Sequence, residues 1–277
     1  MTIQDALTLG AEAIGRHEAR LLLSHITNLS LEKLILDNNK PLDETAKGAF
    51  FAGIERRKAK EPLQYILGQW EFMGLDMRTD TRALIPRPET EILVEEMIKF
   101  IQKLGRPARV LDVCTGSGCI AVAVAKLSGA DVTAIDISPN ALSLAKENAA
   151  MHKVTIRFLL GDLFEGLPRQ NYDNTADTVQ TFDVIISNPP YIPTQELTHL
   201  QPELNHEPKL ALDGGLDGLD IYRRLIPASR EYLTQDGALF LEIGPRAVET
   251  IMLQAGYGIV RLVKDYAGLD RVLIGTN

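Results

Sequence analysis

The sequence predicts an α/β protein in which a doubly wound, seven-stranded and mostly parallel sheet follows a small all-α bundle. Two observations support this fold class. The first 67 or so residues carry apolar side chains at helical spacing and show no alternating strand pattern. From Arg109 onward, short apolar runs typical of buried strands alternate with amphipathic helical segments, as in a parallel sheet covered by helices.

The same pattern divides the chain into three predicted parts. Residues 1–67 form the helical bundle, in which Asp43 is a predicted helix N-cap. Residues 68–90 form a hairpin and connector, because Gly74 separates two short alternating runs. Residues 91–277 form the domain that contains the sheet.

Seven apolar runs are the predicted strands of the sheet. They are RVLDVC, DVTAIDI, TIRFLLGD, FDVIIS, GALFLEI, GIVRLVKD and DRVLIGT. The last two are joined by too few residues for a helical crossover, so we expect them to be antiparallel. The polar stretch Pro168–Thr181 is predicted to be a mobile surface loop.

Composition indicates a globular protein of a reducing compartment. The 277 residues are 45% hydrophobic, and no apolar run is long enough to span a bilayer. Cys114 and Cys119 make no disulfide framework, and no signal-peptide pattern is visible. We therefore expect a soluble cytoplasmic protein with no membrane partner and no metal. The net charge of −8 argues against a duplex nucleic-acid footprint, so no direct nucleic-acid substrate is expected.

A glycine-rich loop, DVCTGSGCIA, follows the first strand of the sheet. Gly116 and Gly118 allow a tight turn and a close approach of a ligand to the backbone. The next strand ends at Asp136, where doubly wound folds place a carboxylate that accepts hydrogen bonds from a ribose. The spacing G-x-G-x-x-A is shared with NAD sites, so the glycines predict a nucleoside ligand without deciding which one.

Two acidic residues favour S-adenosylmethionine as that ligand. Asp112 lies just before the loop, where an anion suits a cationic ligand and repels a pyrophosphate. The stretch GDLF follows the third strand and places Asp162 to accept from an adenine amino group, with Leu163 beside the ring. A purely packing role is the alternative for Leu163.

The residues Asn188, Pro189, Pro190 and Tyr191 follow the fourth strand, at the edge of the sheet where ligands bind. An amide nitrogen is a poor methyl acceptor because its lone pair is delocalised, and a site assists by accepting hydrogen bonds from both N–H groups. The Asn188 side-chain carbonyl and the Pro189 backbone carbonyl are the predicted acceptors, and the prolines aim the second of them. Tyr191 offers an aromatic wall for a planar group. A rigid structural turn is the alternative for this motif.

Together these motifs resemble class I S-adenosylmethionine-dependent methyltransferases, whose fold is Rossmann-like. Four further stretches resemble the HemK-type release factor glutamine methyltransferases: EPLQYILGQWEFMG, LIPRPETE, EPKLALDGGLDGLDIYRRL and KDYAGLDRVLIG. The resemblance implies methyl transfer to the side-chain amide nitrogen of the Gln in the Gly-Gly-Gln motif of class 1 peptide chain release factors. This reaction modulates translation termination and leaves S-adenosylhomocysteine as product.

The resemblance also implies a role for each site residue. The cofactor is expected at Cys114, Thr115, Gly116, Ser117, Gly118, Asp136 (ribose), Asp162, Leu163 (adenine) and Asn188. Catalysis and substrate binding are expected at Asn188, Pro189, Pro190 and Tyr191, with Arg87 and Glu89 lining the substrate channel. The bundle is expected to recognise the release factor.

Cys114 departs from the family pattern, which has Gly at this position. Because Cys does not tolerate every φ, we expect the loop to keep an ordinary φ there. The thiol is expected to be a small buried side chain, with a reactive thiol as the alternative.

Other functions fit parts of the pattern. A DNA or RNA adenine amino-methyltransferase also uses an Asn-Pro-Pro-Tyr-type motif and would stack a flipped base on Tyr191. The acidic net charge and the lack of an obvious basic recognition domain argue against it. A related glutamine methyltransferase acting on a ribosomal protein would differ in what the bundle recognises. An NAD-dependent oxidoreductase leaves NPPY without a purpose, and Asn188 and Asp136 disfavour a non-catalytic scaffold.

Overall fold

A seven-stranded sheet organises the larger part of the chain. The structure, a computed structural model, describes residues 1–167, 180–244 and 247–276. The chain divides into two units, Met1–Gln69 with Gln201–His206 and Trp70–Leu200 with Glu207–Asn277. The loop predicted at 168–181 lies outside the described residues except for its last two.

The first unit is a helical bundle with its own apolar core. Its helices are α1 (Ile3–Ile14), α2 (Arg16–Thr27), α3 (Leu31–Leu36), α4 (Glu44–Lys58) and α5 (Leu63–Leu67). Asp43 caps α4 as predicted, because its carboxylate accepts a hydrogen bond of 2.8 Å from the backbone N–H of Ala46. Leu22, Leu23 and Phe50 are buried where these helices pack together.

The segment Gln201–His206 belongs to the bundle although it lies far from it in the sequence. Arg57 of α4 donates to Glu18 of α2 at 2.7 Å and to Glu203 of this segment at 2.9 Å. A partly buried guanidinium shared by two carboxylates holds both of them more firmly than an isolated surface pair does. This connection was not visible in the sequence, because the segment has no apolar periodicity.

A hairpin and an alternation of strands and helices make up the rest of the described chain. The hairpin consists of β1 (Gln69–Phe72) and β2 (Leu75–Arg78), and its two turn residues, Met73 and Gly74, have φ of 54° and 72°. The remaining elements are α6 (Pro88–Leu104), β3 (Arg109–Val113), α7 (Cys119–Ser128), β4 (Asp131–Asp136), α8 (Pro139–His152), β5 (Ile156–Leu160), β6 (Phe182–Ser187), α9 (Asp220–Ser229), β7 (Leu233–Glu242), α10 (Val248–Gln254), β8 (Ile259–Lys264) and β9 (Asp270–Thr276).

The sheet has the strand order β5-β4-β3-β6-β7-β9-β8, and β9 runs in the direction opposite to the other six strands. The predicted fold class and the predicted antiparallel pairing of the last two strands are both confirmed. After β3, the strands β4 and β5 are added on one side of it, and β6 is then added on its other side. The switch point, where ligands bind in open α/β sheets, is therefore at the carboxyl ends of β3 and β6.

Two apolar layers cover the two faces of the sheet. On β3, Val110 points into the layer that contains α6 and α7, whereas Leu111 points into the layer that contains α9 and α10. This alternation with both faces buried explains why the central strands read as continuous apolar runs. Within the described ranges, no helix combines the length and apolar character needed to cross a membrane.

Candidate active site

The carboxyl ends of four parallel strands meet along one edge of the sheet. Val113, at the end of β3, pairs with Ile135 of β4 and with Ser187 of β6, and Asp136 pairs with Leu160 of β5. The loops that follow these strands therefore open into one crevice. That crevice contains a cavity of about 260 Å³, where ligands of doubly wound folds bind.

Most of the predicted site residues line this cavity. They are Arg87, Cys114, Thr115, Gly116, Ser117, Asp136, Asp162, Leu163, Asn188 and Pro190. Glu89, Gly118, Pro189 and Tyr191 are not among its lining residues. Gly118 has a different structural reason for being glycine: a Cβ on it would lie 2.8 Å from the Cβ of Ala145, so it lets α7 begin close against α8.

Asp136 organises the glycine loop. One carboxylate oxygen accepts from the Gly116 N–H and the other from the Ser138 N–H, each at 2.8 Å. Gly116 has a φ of 56° and open space where a Cβ would be, so no side chain separates its backbone from the cavity. Burial raises the pKa of Asp136 above its ordinary value, although these backbone donors lower it.

The expectation of an ordinary φ at Cys114 is wrong, because its φ is 61°. A side chain in this left-handed region costs roughly 1–2 kcal/mol. The turn requires it: the next residue, Thr115, donates its N–H to Ile135 at 3.0 Å and holds the chain at this point, and the Cys114 side chain packs against the apolar layer. Burial, with Asp136 nearby, raises the pKa of the Cys114 thiol to about 12, so the thiol is un-ionised at neutral pH.

Asp112 is a fully buried acid behind the same loop. Its Oδ2 accepts a hydrogen bond of 2.5 Å from the Thr115 hydroxyl, whereas Oδ1 has no hydrogen-bond partner. Burial, with a further contribution from Asp136, raises the pKa of Asp112 to about 7. A cation bound nearby would favour the ionised form of this acid, so the loop suits a positively charged ligand.

Asn188 is hydrogen-bonded to Thr90 and is connected through it to Glu242, and the sequence analysis missed both residues. Its Nδ2 donates to the Thr90 hydroxyl at 3.2 Å, and that hydroxyl donates to Glu242 Oε2 at 2.6 Å. Tyr191 donates its hydroxyl to Glu242 Oε1 at 3.3 Å. Thr90 is a buried residue of α6 and Glu242 ends β7. The sequence did contain one signal for Glu242, because it is the only charged residue in the apolar run ALFLEI.

Glycines pack against Tyr191 from two directions. A Cβ on Gly244 would lie 2.6 Å from Cδ2 of the Tyr191 ring, and one on Gly214 would lie 2.7 Å from its Cα. The next residue, Ile192, exchanges backbone hydrogen bonds with Leu212 at 2.9 Å and with Gly214 at 2.8 Å. The stretch LDGGLDG therefore supports the NPPY turn, and larger side chains at these glycines would displace it.

Two ion pairs lie at the wall of the cavity. Arg87 pairs with Glu207, a carboxylate whose side chain is only 1% exposed and which also accepts from the Ile85 N–H at 3.0 Å. This pair joins the stretch LIPRPETE to the stretch that begins at Glu207. Arg224 of α9 donates to Asp162 at 2.7 Å and so holds the carboxylate predicted at the adenine.

Solved structures show the same fold. A Pyrococcus furiosus methyltransferase matches with a TM-score of 0.51 and 18% identity, over 84% of this chain and 98% of that one. The T. thermophilus 16S rRNA N2 G1207 methyltransferase matches with a TM-score of 0.55 and 16% identity, over 76% and 49%. A methyltransferase domain family matches residues 104–213. The fold and the matching domain family define a class I S-adenosylmethionine-dependent methyltransferase.

Full-length relatives define the particular family. The PrmC N-terminal domain family matches residues 5–68. The release factor glutamine methyltransferase of Thermodesulfovibrio yellowstonii is 41% identical over 93% of this chain and 91% of its own length. That of Geobacter sulfurreducens is 43% identical over 94% and 89%. The chain belongs to the release factor glutamine methyltransferase family, and it is an enzyme that uses S-adenosylmethionine.

Proposed function

We propose that this enzyme methylates the side-chain amide nitrogen of the Gln in the Gly-Gly-Gln motif of class 1 peptide chain release factors. One observation carries the proposal: the glycine loop at Cys114–Ser117 and the amide of Asn188 face the same cavity. A methyl donor held by the loop is therefore next to a group suited to hold a primary amide. The named relatives support the choice of a release factor as substrate.

The residues around the glycine loop fit S-adenosylmethionine. Each oxygen of Asp136 already accepts one backbone N–H and has a further lone pair for a ribose hydroxyl. The ionised form of Asp112 suits a cationic sulfonium and ammonium, and a bound cation favours that form. We assign Asp162 and Leu163 to the adenine, because both line the cavity next to Asp136. When bound, S-adenosylmethionine supplies an electrophilic methyl group on sulfur.

The substrate amide is held by acceptors in our proposal. The Asn188 side-chain carbonyl and the Pro189 backbone carbonyl accept one N–H each, which turns the nitrogen lone pair toward the methyl donor. The nitrogen becomes cationic and strongly acidic as it is methylated, so its proton leaves to water without a dedicated base. Positioning of this kind contributes roughly 7–11 kcal/mol to catalysis in favourable cases. We assign Arg87 and Glu89 to the channel through which the substrate loop enters.

We assign recognition of the release factor body to the helical bundle. The bundle closes its own core and still exposes apolar side chains on α3, with Ile35 57% and Leu36 76% exposed. Exposed apolar surface of this kind is typical of protein docking. Release factors act on ribosomes, so we assign the activity to the cytoplasm.

Substitution of Ile35 by Asp tests the role of the bundle. We expect it to raise the KM for an intact release factor several-fold, and to leave the KM for a short Gly-Gly-Gln peptide unchanged. Leu127→Asp, at an exposed residue of α7, is the matched control. Equal KM values for the intact factor in wild type and Ile35→Asp would show that Ile35 does not belong to the recognition surface.

The substrate is tested with labelled S-adenosylmethionine. The enzyme is incubated separately with a class 1 release factor, a ribosomal protein and DNA, and mass spectrometry locates the methyl group. We expect one methyl group on the amide of the Gly-Gly-Gln glutamine. A methyl group on the ribosomal protein, or on an adenine, with none on the release factor would overturn the proposal in favour of that substrate.

A further inference from the structure

Glu242 is a buried carboxylate that the proposed chemistry does not use directly. It is the last residue of β7 and is 2% exposed. Its Oε2 accepts from the Thr90 hydroxyl at 2.6 Å and its Oε1 from the Tyr191 hydroxyl at 3.3 Å. Burial of an acid at this depth is costly, and its hydroxyl donors compensate for only part of that cost.

The charged groups around Glu242 come from two other elements. Arg271 of β9 favours the ionised carboxylate, whereas Glu89 of α6 disfavours it. Tyr222 of α9 donates its hydroxyl to the backbone carbonyl of Glu242 at 2.8 Å and so anchors the end of the strand. Burial raises the pKa of Glu242, while the Thr90 and Tyr191 hydroxyls and Arg271 act in the opposite direction.

The Thr90 hydroxyl connects Glu242 to Asn188 by two hydrogen bonds, and the donor and acceptor of each bond are fixed. Oε2 of Glu242 accepts a hydrogen bond of 2.6 Å from the Thr90 hydroxyl, so the single hydrogen of that hydroxyl is used toward Glu242. Toward Asn188, Thr90 can then act only as an acceptor. The neighbouring atom of Asn188 must therefore be Nδ2, as observed at 3.2 Å. The Oδ1 atom of Asn188 is left on the opposite side of the amide.

We propose that Thr90 and Glu242 are positioning residues that hold the Asn188 amide with its Oδ1 available to the substrate nitrogen. This inference rests on the proposed function, in which Asn188 accepts a hydrogen bond from the substrate amide. If the side-chain amide of Asn188 were rotated by half a turn, its N–H groups would face the N–H groups of the substrate amide. The substrate would then lose one of its two hydrogen-bond acceptors. Two residues far apart in the sequence, Thr90 and Glu242, thus select one of two otherwise similar orientations of the Asn188 side chain.

Thr90→Val tests this role, because valine keeps the shape of threonine and removes the hydroxyl. We expect kcat for release factor methylation to fall by about tenfold or more, with the KM for S-adenosylmethionine changed less than about twofold. Thr90→Ser restores the hydroxyl, and we expect it to keep kcat within about threefold of wild type. Loss of kcat in both variants would indicate a packing role and contradict the proposal.

Glu242→Met is the second variant, in which an apolar side chain of similar volume replaces the buried carboxylate, and thermal unfolding checks that the variant is folded. It leaves the Thr90 hydroxyl without direction and the Tyr191 hydroxyl without its acceptor. We therefore expect kcat to fall at least as far as in Thr90→Val, and the Thr90→Val/Glu242→Met double variant to fall no further than Glu242→Met alone. Additive losses, or wild-type kcat in Thr90→Val, would overturn the proposal. Asn188→Ala is assayed in parallel: if it is inactive while Thr90→Val is fully active, only this inference fails. If Asn188→Ala methylates the release factor at close to the wild-type rate, the proposed role of Asn188 and this inference both fail, whereas the proposed function fails only if the wild-type enzyme does not methylate the release factor.

Discussion

The carboxylate of Asp136 accepts a hydrogen bond of 2.8 Å from the backbone N–H of Gly116, which joins the end of β4 to the loop that follows β3. The same carboxylate also accepts from Ser138, so it holds two loop backbones at the cavity. Asp136 therefore orders the loop in addition to the role at the ribose that we propose.

Asp136→Ala should weaken S-adenosylmethionine binding by about 10- to 100-fold, as expected for the loss of hydrogen bonds to a charged acceptor. Isothermal titration calorimetry measures this change directly. Asp131→Asn, at the exposed start of the same strand, is the matched control and should bind normally. Unchanged affinity in Asp136→Ala would refute the ribose role.

Asp112 makes stability depend on pH in an unusual direction. Its pKa of about 7 lies above the ordinary 3.8, so between these pH values the folded state binds more protons than the unfolded state. The free energy of unfolding contributed by this group therefore falls as the pH rises from about 4 to about 7. At higher pH the ionised, buried Asp112 therefore lowers the stability of the fold.

Asp112→Asn should be more stable than wild type at about pH 8, with the difference shrinking toward about pH 5. The same variant should bind S-adenosylmethionine more weakly, because the buried negative charge is lost. Thermal unfolding at a series of pH values and calorimetry check the two effects. Parallel stability curves for the two proteins across this range would show that Asp112 does not titrate as described.

Gly244→Ala should displace the Tyr191 ring, because the added Cβ would lie 2.6 Å from Cδ2 of that ring. We expect kcat to fall by about tenfold or more, since a shift of about 1 Å in a positioned group has large effects on rate. Gly48→Ala is the control: this helical glycine has open space at its Cβ position and should gain stability of about 0.5–1 kcal/mol. Wild-type kcat in Gly244→Ala would show that the position of Tyr191 does not matter for turnover.

Local patterns predicted much of the fold and part of the cavity. Apolar runs located the strands, and parallel strands place their carboxyl ends along one edge, so Cys114, Asp136 and Asn188 lie at strand ends that meet there. The positive φ of Cys114 was not predictable from its residue type. It comes from the hydrogen bond that Thr115 makes to a neighbouring strand.

Non-local contacts account for most of the rest. Thr90 and Glu242 lie 152 residues apart, and the hydrogen bond between them depends on α6 and β7 packing together. Arg57 and Glu203 are separated by 146 residues, and nothing in either segment indicates the pairing. Single-sequence periodicity describes which face of an element is buried, but it does not identify the polar partner on the other side of the core.

The central claim is that Asn188 accepts a hydrogen bond from the glutamine amide that becomes methylated. The most direct measurement is kcat for methylation of an intact release factor by Asn188→Ala, with S-adenosylmethionine affinity measured by calorimetry on the same preparation. We predict that kcat falls by about 100-fold or more while the affinity changes less than about fivefold. A kcat close to that of wild type would contradict the account.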